Sequence, residues 1–423
     1  MKNNLFIAVL LYAMQMAIAQ SQVRENFELD GSTILESYVF TEGLSDKEDS
    51  QNEWKTNIEL NYRFNKAIQF KSSTQINLNT VESGRAFIEA REFYLNYRQG
   101  KFNTSIGRQI VNWSGLAGWS ASDIANTFQY YDFLDTEDEE RGHWTLKSTF
   151  QQGSVQLSVT VIPFFRVSSL FLENNRWINL PSITQTSNTE IALNYLGANR
   201  IREYDELQLG LKFSFRLGES QQTFIAYQGY NDIPVRVLNI TDQNPEDGLD
   251  YTLDLIYHKL QYLSWQSEFY LGQWNIWSEA NLTESRIWQD DRLAPHVWYN
   301  LTLGADRNFE FYDPEKQLNI LLQYIYSYNN EGVRYTANDL DHIFNNAFLT
   351  RIRYQFNYKL RAELRTAFEF QQEGYYINPK IEYNMLENLK LSAGADILMG
   401  SQDSFFGNYQ DNSRMRFAVN YYF

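Results

Sequence analysis

Residues 207–217 read LQLGLKFSFRL, and the alternation of apolar and polar residues in this stretch decides the fold. Leu and Phe occupy every odd position, while the even positions hold Gln, Gly, Lys, Ser and Arg. Because successive side chains of a β-strand point to opposite faces, this segment forms a strand with one apolar and one polar face. The same period of two recurs at 54–64, 348–358 and 362–370. The chain is therefore predicted to be all-β.

The spacing of these segments predicts a transmembrane, antiparallel, up-and-down β-barrel of about 18 strands. Every second connection is a short turn such as Gly218-Glu219, whereas most of the others are long and polar, as at 112–142, 164–203 and 287–295. Short periplasmic turns and long extracellular loops are typical of bacterial outer-membrane barrels. Residues 251–271 are predicted to form a single strand of this barrel.

The two ends of the chain indicate export and insertion into the outer membrane of a Gram-negative cell. Residues 1–19 combine Lys2, an apolar core and the site Ala17-Ile18-Ala19, which predicts a cleaved signal peptide. Residues 20–30 are predicted to be a short periplasmic segment, and 31–423 the barrel. Phe423 ends an alternating strand and resembles the signal that the barrel-assembly machinery reads. Outer-membrane lipid and lipopolysaccharide are the expected surroundings, and a monomer is expected.

Composition excludes several classes of function. The net charge of -16 argues against nucleic-acid binding. The chain has no cysteine, so lipoprotein anchoring, disulfides and cysteine nucleophiles are excluded. Its 4 histidines have no Ser/His, Asp/His or metal-ligand spacing. We therefore predict no catalytic residue, no metal site and no cofactor, and we do not expect an enzyme.

The strand face opposite the apolar residues should line the lumen, and basic residues are common on it. Most of the arginines on this lumen-facing side lie in the last five strands, where they could form a positive ladder that attracts anions. A second interpretation remains open, in which they pair with wall carboxylates such as Glu363, Glu369 and Glu382. The residues predicted to line the solute pathway are Arg351, Arg353, Arg361, Arg365, Arg414, Arg416, Lys212 and Arg216.

The densest acidic block of the chain lies at 132–140, within a long connection. One interpretation is a solvated surface loop. The other is a constriction loop that folds inward against the arginines. Its candidate residues are Asp132, Asp135, Glu137, Asp138, Glu139 and Glu140.

Four short segments carry a resemblance to a known family: REFYLNY at 91–97, SIGRQIVNW at 105–113, SDIAN at 122–126 and VIPFF at 161–165. They resemble the alginate-export-like group of outer-membrane porins. The resemblance implies a monomeric eighteen-stranded barrel whose arginine-rich lumen passes an anionic or polar organic solute. Arg108 is two residues from both Ile106 and Ile110 and so lies on the same strand face. It therefore faces lipid unless a bulge at Gly107 rotates it inward. We predict that rotation, and with it a place for Arg108 on the solute pathway.

Two functions are consistent with these observations. The first is a porin that passes polar or anionic solutes, such as a saccharide or an organic acid, by passive diffusion through a mildly basic lumen. The alternative is a surface-assembly or adhesion barrel that binds a polysaccharide or a partner protein through its extracellular loops. Aromatic residues at 113–131 and 177–195 could stack on sugars in that case.

Overall fold

The computed structural model describes residues 26–42, 49–79, 86–122, 124–130, 132–134, 140–170, 176–177, 191–194, 207–242, 250–289, 292–329 and 343–423. The predicted signal peptide at 1–19 lies outside these ranges. No helix within them is both long enough and apolar enough to cross a membrane.

Eighteen strands form one closed antiparallel barrel, which confirms the predicted fold class. We number them along the chain. The bounds are β1 Phe27–Phe40, β2 Ser50–Arg63, β3 Ile68–Asn79, β4 Phe87–Gln99, β5 Phe102–Gln109, β6 His143–Gln152, β7 Val155–Ile162, β8 Gln208–Leu217, β9 Ser220–Tyr230, β10 Lys259–Leu271, β11 Trp274–Gln289, β12 Arg292–Glu310, β13 Gln317–Asn329, β14 Asn346–Gln355, β15 Leu360–Glu369, β16 Gly374–Leu386, β17 Leu389–Gly400 and β18 Arg414–Tyr422.

Each strand pairs with the strand that precedes it and the strand that follows it in sequence. The barrel closes between β1 and β18, where Thr33 lies opposite Tyr421. Gly31 and Phe423 exchange two backbone hydrogen bonds of 2.9 Å at this seam. Closure leaves the eighteen-stranded sheet without an unpaired edge, which suits a sheet surrounded by lipid.

Side chains alternate between the outer and inner faces of the barrel wall, as predicted. On β8 the exposed fractions of Leu209 and Leu211 are 46% and 44%, as expected for residues that face lipid. The intervening Gly210 and the nearby Ser214 are buried on the inner side. The outer face is therefore apolar and the inner face polar, as in known outer-membrane barrels.

Tight turns connect the strands at one end of the barrel. Gly100 has a φ of 57°, in the left-handed region that two-residue hairpins require. Gly153, Gly218 and Gly272 repeat this conformation in the corresponding turns. We call this end the short-turn end.

Three boundaries differ from the prediction. The first strand begins at Phe27, so residues 27–30 pair with β2 and do not form a separate segment. The predicted strand 251–271 is two strands: Lys259–Leu271 belongs to the barrel, and Asp250–Ile256 joins Val235–Asp242 and Ile191–Asn194 in a separate three-stranded sheet. The predicted loop 287–295 is largely strand, because β11 and β12 stay paired up to Gln289 and Arg292.

Candidate functional site: a loop across the lumen

The connection between β5 and β6, residues 110–142, enters the barrel, and we call it the inward loop. Its Trp119 N–H donates to Oε1 of Gln323 at 2.9 Å, and Nε2 of Gln323 donates to the Trp119 carbonyl at 2.6 Å. Gln323 lies on β13, nearly opposite β5 in the eighteen-stranded ring. The loop therefore crosses the lumen and is held by the far wall.

The base of the inward loop is closed by an amide side chain. Oδ1 of Asn126 accepts from the Val111 N–H at 2.7 Å, and its Nδ2 donates to the Val111 carbonyl at 3.1 Å. The Asn126 amide thus satisfies a buried backbone donor and acceptor after β5 has ended. This pairing ties the outgoing and returning arms of the loop together.

Trp113 fixes the outgoing arm to the wall. Its indole is 1% exposed and packs on the ring of Tyr227, with centroids 5.0 Å apart. It also contacts Gly210 so closely that a Cβ at this position would overlap it. Nζ of Lys212 donates to the Trp113 carbonyl at 2.6 Å. The predicted pathway residue Lys212 therefore also holds the loop.

A buried carboxylate holds the tip of the loop. Oε2 of Glu279, which is fully buried on β11, accepts from the Ser120 hydroxyl at 2.8 Å. The Ser122 hydroxyl donates to Oε1 of the same carboxylate and lies 2.9 Å from the Tyr262 hydroxyl. These hydrogen bonds satisfy both oxygens of a buried carboxyl group, so they position the loop.

The returning arm carries Asp132 to the arginines of β18. Oδ2 of Asp132 lies 2.6 Å from Nη1 of Arg414, whose Nε donates to Oδ2 of Asp396 at 2.7 Å. Phe133 packs beside this pair, with its ring 6.2 Å from that of Trp177. The other end of the acidic block is Glu140, whose Oε1 accepts from Asn126 at 3.0 Å. The candidate constriction residues Asp135, Glu137, Asp138 and Glu139 lie outside the described residues.

Two cavities flank the inward loop. The first, which we call the central cavity, measures about 840 Å³ and is lined by Trp119, Phe344, Tyr376, Arg351 and Arg365. The second, which we call the short-turn chamber, measures about 620 Å³ and reaches Gly100 in a tight turn. Both cavities touch Asn112 of the loop.

Arg351 and Arg365 lie side by side, because they are directly opposed in the register of β14 and β15. Nε of Arg365 donates to Oε1 of Glu363 at 2.6 Å. Arg351 forms no ion pair with the residues that the structure describes, and its buried Nε has no hydrogen-bond partner among them. The lining of the central cavity therefore combines two adjacent guanidinium groups, of which that of Arg351 has no ion-pair partner among the described residues, with the carboxylates of Glu140 and Asp232.

Three other predicted arginines of the last five strands pair with carboxylates. Nε of Arg353 donates to Glu363 at 2.6 Å, and Nε of Arg361 donates to Glu382 at the same distance. Arg416 donates to Glu36 at 2.8 Å. The carboxylate of Glu369 accepts from the backbone N–H groups of Gln371 and Gln372 at 3.2 and 2.6 Å. Arg216 is exposed next to the Gly218 turn, opposite Gln221. Wall carboxylates thus pair with most arginines of this sector, including Arg365, and Arg351 is the one predicted arginine of the last five strands without an ion pair among the described residues.

Arg108 lines neither of the two cavities, and its place on the solute pathway stays a prediction. Gly107 has a φ of 136°, although the pairing of β5 continues through it and sets Arg108 opposite Phe93 and Trp144. The Arg108 side chain is 19% exposed, far less than either aromatic ring. The irregularity lies in β4 instead, where the pairing steps over Arg91. The Arg108 guanidinium pairs with Glu89, which also binds Arg141 at 3.4 Å and Arg166 at 2.9 Å.

Two tryptophans that could have stacked on sugars are buried. Trp113 and Trp177 are 1% and 2% exposed and pack inside the barrel. In the part of the chain that the structure describes, no group of three histidines or carboxylates is placed to hold a metal ion.

The chain is similar in structure to outer-membrane porins. No family model matches it, and no curated protein sequence does. A BenF-like porin from Pseudomonas fluorescens aligns with a TM-score of 0.51 and 8% identity over 94% of this chain and 98% of that one. Pseudomonas aeruginosa OccK5 aligns at 0.50 and 9%, and Acinetobacter baumannii OccAB3 at 0.50 and 10%, each over 94% of this chain and 98% of that chain. The chain therefore has the fold of bacterial outer-membrane porins, while the narrower resemblance to the alginate-export-like group stays a prediction.

Proposed function

We propose that this protein is an outer-membrane channel of Gram-negative bacteria that lets small anionic solutes diffuse across the membrane. The porin-like fold and the apolar outer face support the location. The inward loop narrows the lumen, so a solute must pass the loop and the wall that faces it. We propose no catalytic step on this path.

The observation that carries the proposal is the pair Arg351 and Arg365 in the wall of the central cavity. Arg365 shares Glu363 with Arg353, whereas Arg351 beside it forms no ion pair with the described residues. A fixed positive charge beside a constriction favours anions and repels cations. An organic acid fits this cavity better than a neutral saccharide, because its carboxylate can accept charge-assisted hydrogen bonds from the guanidinium groups.

The sign of the reversal potential in a salt gradient tests this proposal. The wild-type channel should favour chloride over potassium. The double variant Arg351→Gln/Arg365→Gln should shift the reversal potential towards that of a cation-selective pore. Lys316→Gln is the matched control, because it removes a positive charge from an exposed turn outside the lumen.

A cation-selective wild-type channel would contradict the proposal. Unchanged selectivity in the arginine variant would do so as well. The alternative of a sugar-binding adhesion barrel loses the support of Trp113 and Trp177, since both are buried.

A further inference from the structure

The short-turn chamber contains more uncompensated charge than the central cavity. Five basic residues line it: Lys71, Arg98, Lys101, Lys147 and Lys212. Glu92 is the one carboxylate among the described lining residues, and its Oε1 already accepts from the Ile110 N–H at 3.0 Å. The formal charge around the chamber is therefore strongly positive although the whole chain carries -16.

Most of the basic residues come from separate strands and meet in one chamber because each of these lies on the inner face of its strand. Lys71 lies on β3, Arg98 on β4 and Lys147 on β6, each on the inner face of its strand. Lys71, Arg98, Lys101 and Lys147 form no ion pair with described residues, whereas Lys212 holds the Trp113 carbonyl. Like charges in one chamber repel each other, so the site gains stability when an anion enters.

The remaining lining of the chamber is polar. Side-chain amides and hydroxyls surround the cations, among them Gln69, Asn96, Gln151, Gln156 and Ser158. Such groups donate to and accept from hydroxyls on a ligand. The central cavity differs, because it combines two arginines with aromatic rings.

We propose that the short-turn chamber is a binding site for a small, hydroxylated anion with two or more negative charges, such as a polycarboxylate. The inference deepens the proposed channel function, on which it rests for the solute path. A monovalent anion would neutralise a minor part of the chamber charge, whereas a trivalent one engages several cations at once. The chamber volume of about 620 Å³ lies within the usual range of small-molecule sites, roughly 300 to 1,000 Å³.

Calorimetric titration of the folded full-length barrel in detergent, at low ionic strength, tests the site with citrate and acetate as probes. Citrate should bind, and acetate should bind far more weakly. The variant Lys71→Gln/Lys147→Gln should weaken citrate binding by about tenfold, because two charge contacts to the anion are removed. The variant Lys66→Gln/Lys316→Gln is the control and should change citrate affinity by less than about twofold, because these two lysines are exposed between strands and line neither cavity.

Three results would overturn the inference: no heat with citrate, unchanged affinity in the variant Lys71→Gln/Lys147→Gln, or an equal loss in the control variant Lys66→Gln/Lys316→Gln. Heat-modifiable gel mobility shows whether each variant is folded before titration. Because binding is measured without current flow, failure here is distinct from failure of the channel proposal, which would appear as absent or cation-selective conductance.

Discussion

At the scale of single residues, Gly210 decides whether the inward loop keeps its place. A Cβ at this position would overlap the buried indole of Trp113. We predict that Gly210→Val displaces Trp113 and destabilises the barrel by about 1 to 3 kcal/mol, the usual cost of overpacking. Thermal unfolding checks this prediction. Gly115→Val is the control, since Gly115 lies in the same loop with open space around it. Equal melting temperatures for the two variants would show that Trp113 is not confined.

Gln323 is the second residue with a testable role, because its side chain satisfies both backbone groups of Trp119. Gln323→Leu leaves these groups without protein partners, and each unsatisfied group costs about 1 to 3 kcal/mol when buried. The Trp119 amide should then exchange hydrogen much faster. Gln355→Leu removes one hydrogen bond, to the Glu315 carbonyl at the exposed short-turn end, and serves as the control. An unchanged exchange rate at Trp119 would rule out this anchor.

These anchors could not be predicted from the sequence. The alternation of apolar and polar residues identifies the inner face of a strand, so a polar residue such as Glu279 is recognisable as lumen-facing. The alternation of side chains does not reveal which residue lies across the lumen. Gln323, for example, is 204 positions from Trp119 in the sequence. For the same reason the acidic block allowed two interpretations, until the contact between Asp132 and Arg414 placed its first residue inside the barrel.

At the scale of the strand, neighbouring residues face opposite surroundings. On β15, Leu364 is exposed on the outer face and Arg365 lies on the inner face at the same depth. Leu364→Arg should impair membrane assembly, because a lipid-facing arginine near the bilayer midplane costs roughly 2 to 4 kcal/mol. Arg365→Leu should assemble normally, since Glu363 keeps Arg353. Heat-modifiable gel mobility measures the yield of folded barrel. Equal yields would refute the assignment of faces.

All eighteen barrel strands were predictable because lipid forces apolar residues to every second position. The prediction failed where that constraint ends. Residues 250–256 alternate like a barrel strand yet join another sheet, since a period of two does not tell which sheet a strand enters. Residues 287–295 were predicted to be a loop, although Pro295 lies within β12, paired with Arg286.

At the scale of the whole molecule, the distribution of charge matters more than its sum. The chain carries -16, but five basic residues and a single carboxylate are found among the described residues that line the short-turn chamber. Composition alone would suggest a protein that repels anions. The fold nevertheless gathers five basic side chains around the short-turn chamber.

The central claim is that the barrel is an open channel narrowed, and not sealed, by the inward loop. Single-channel recording in planar bilayers tests this claim most directly. The purified, heat-modifiable protein should produce steady, ohmic current steps of one main size. Insertion of correctly folded protein into a membrane that stays electrically silent would contradict the account.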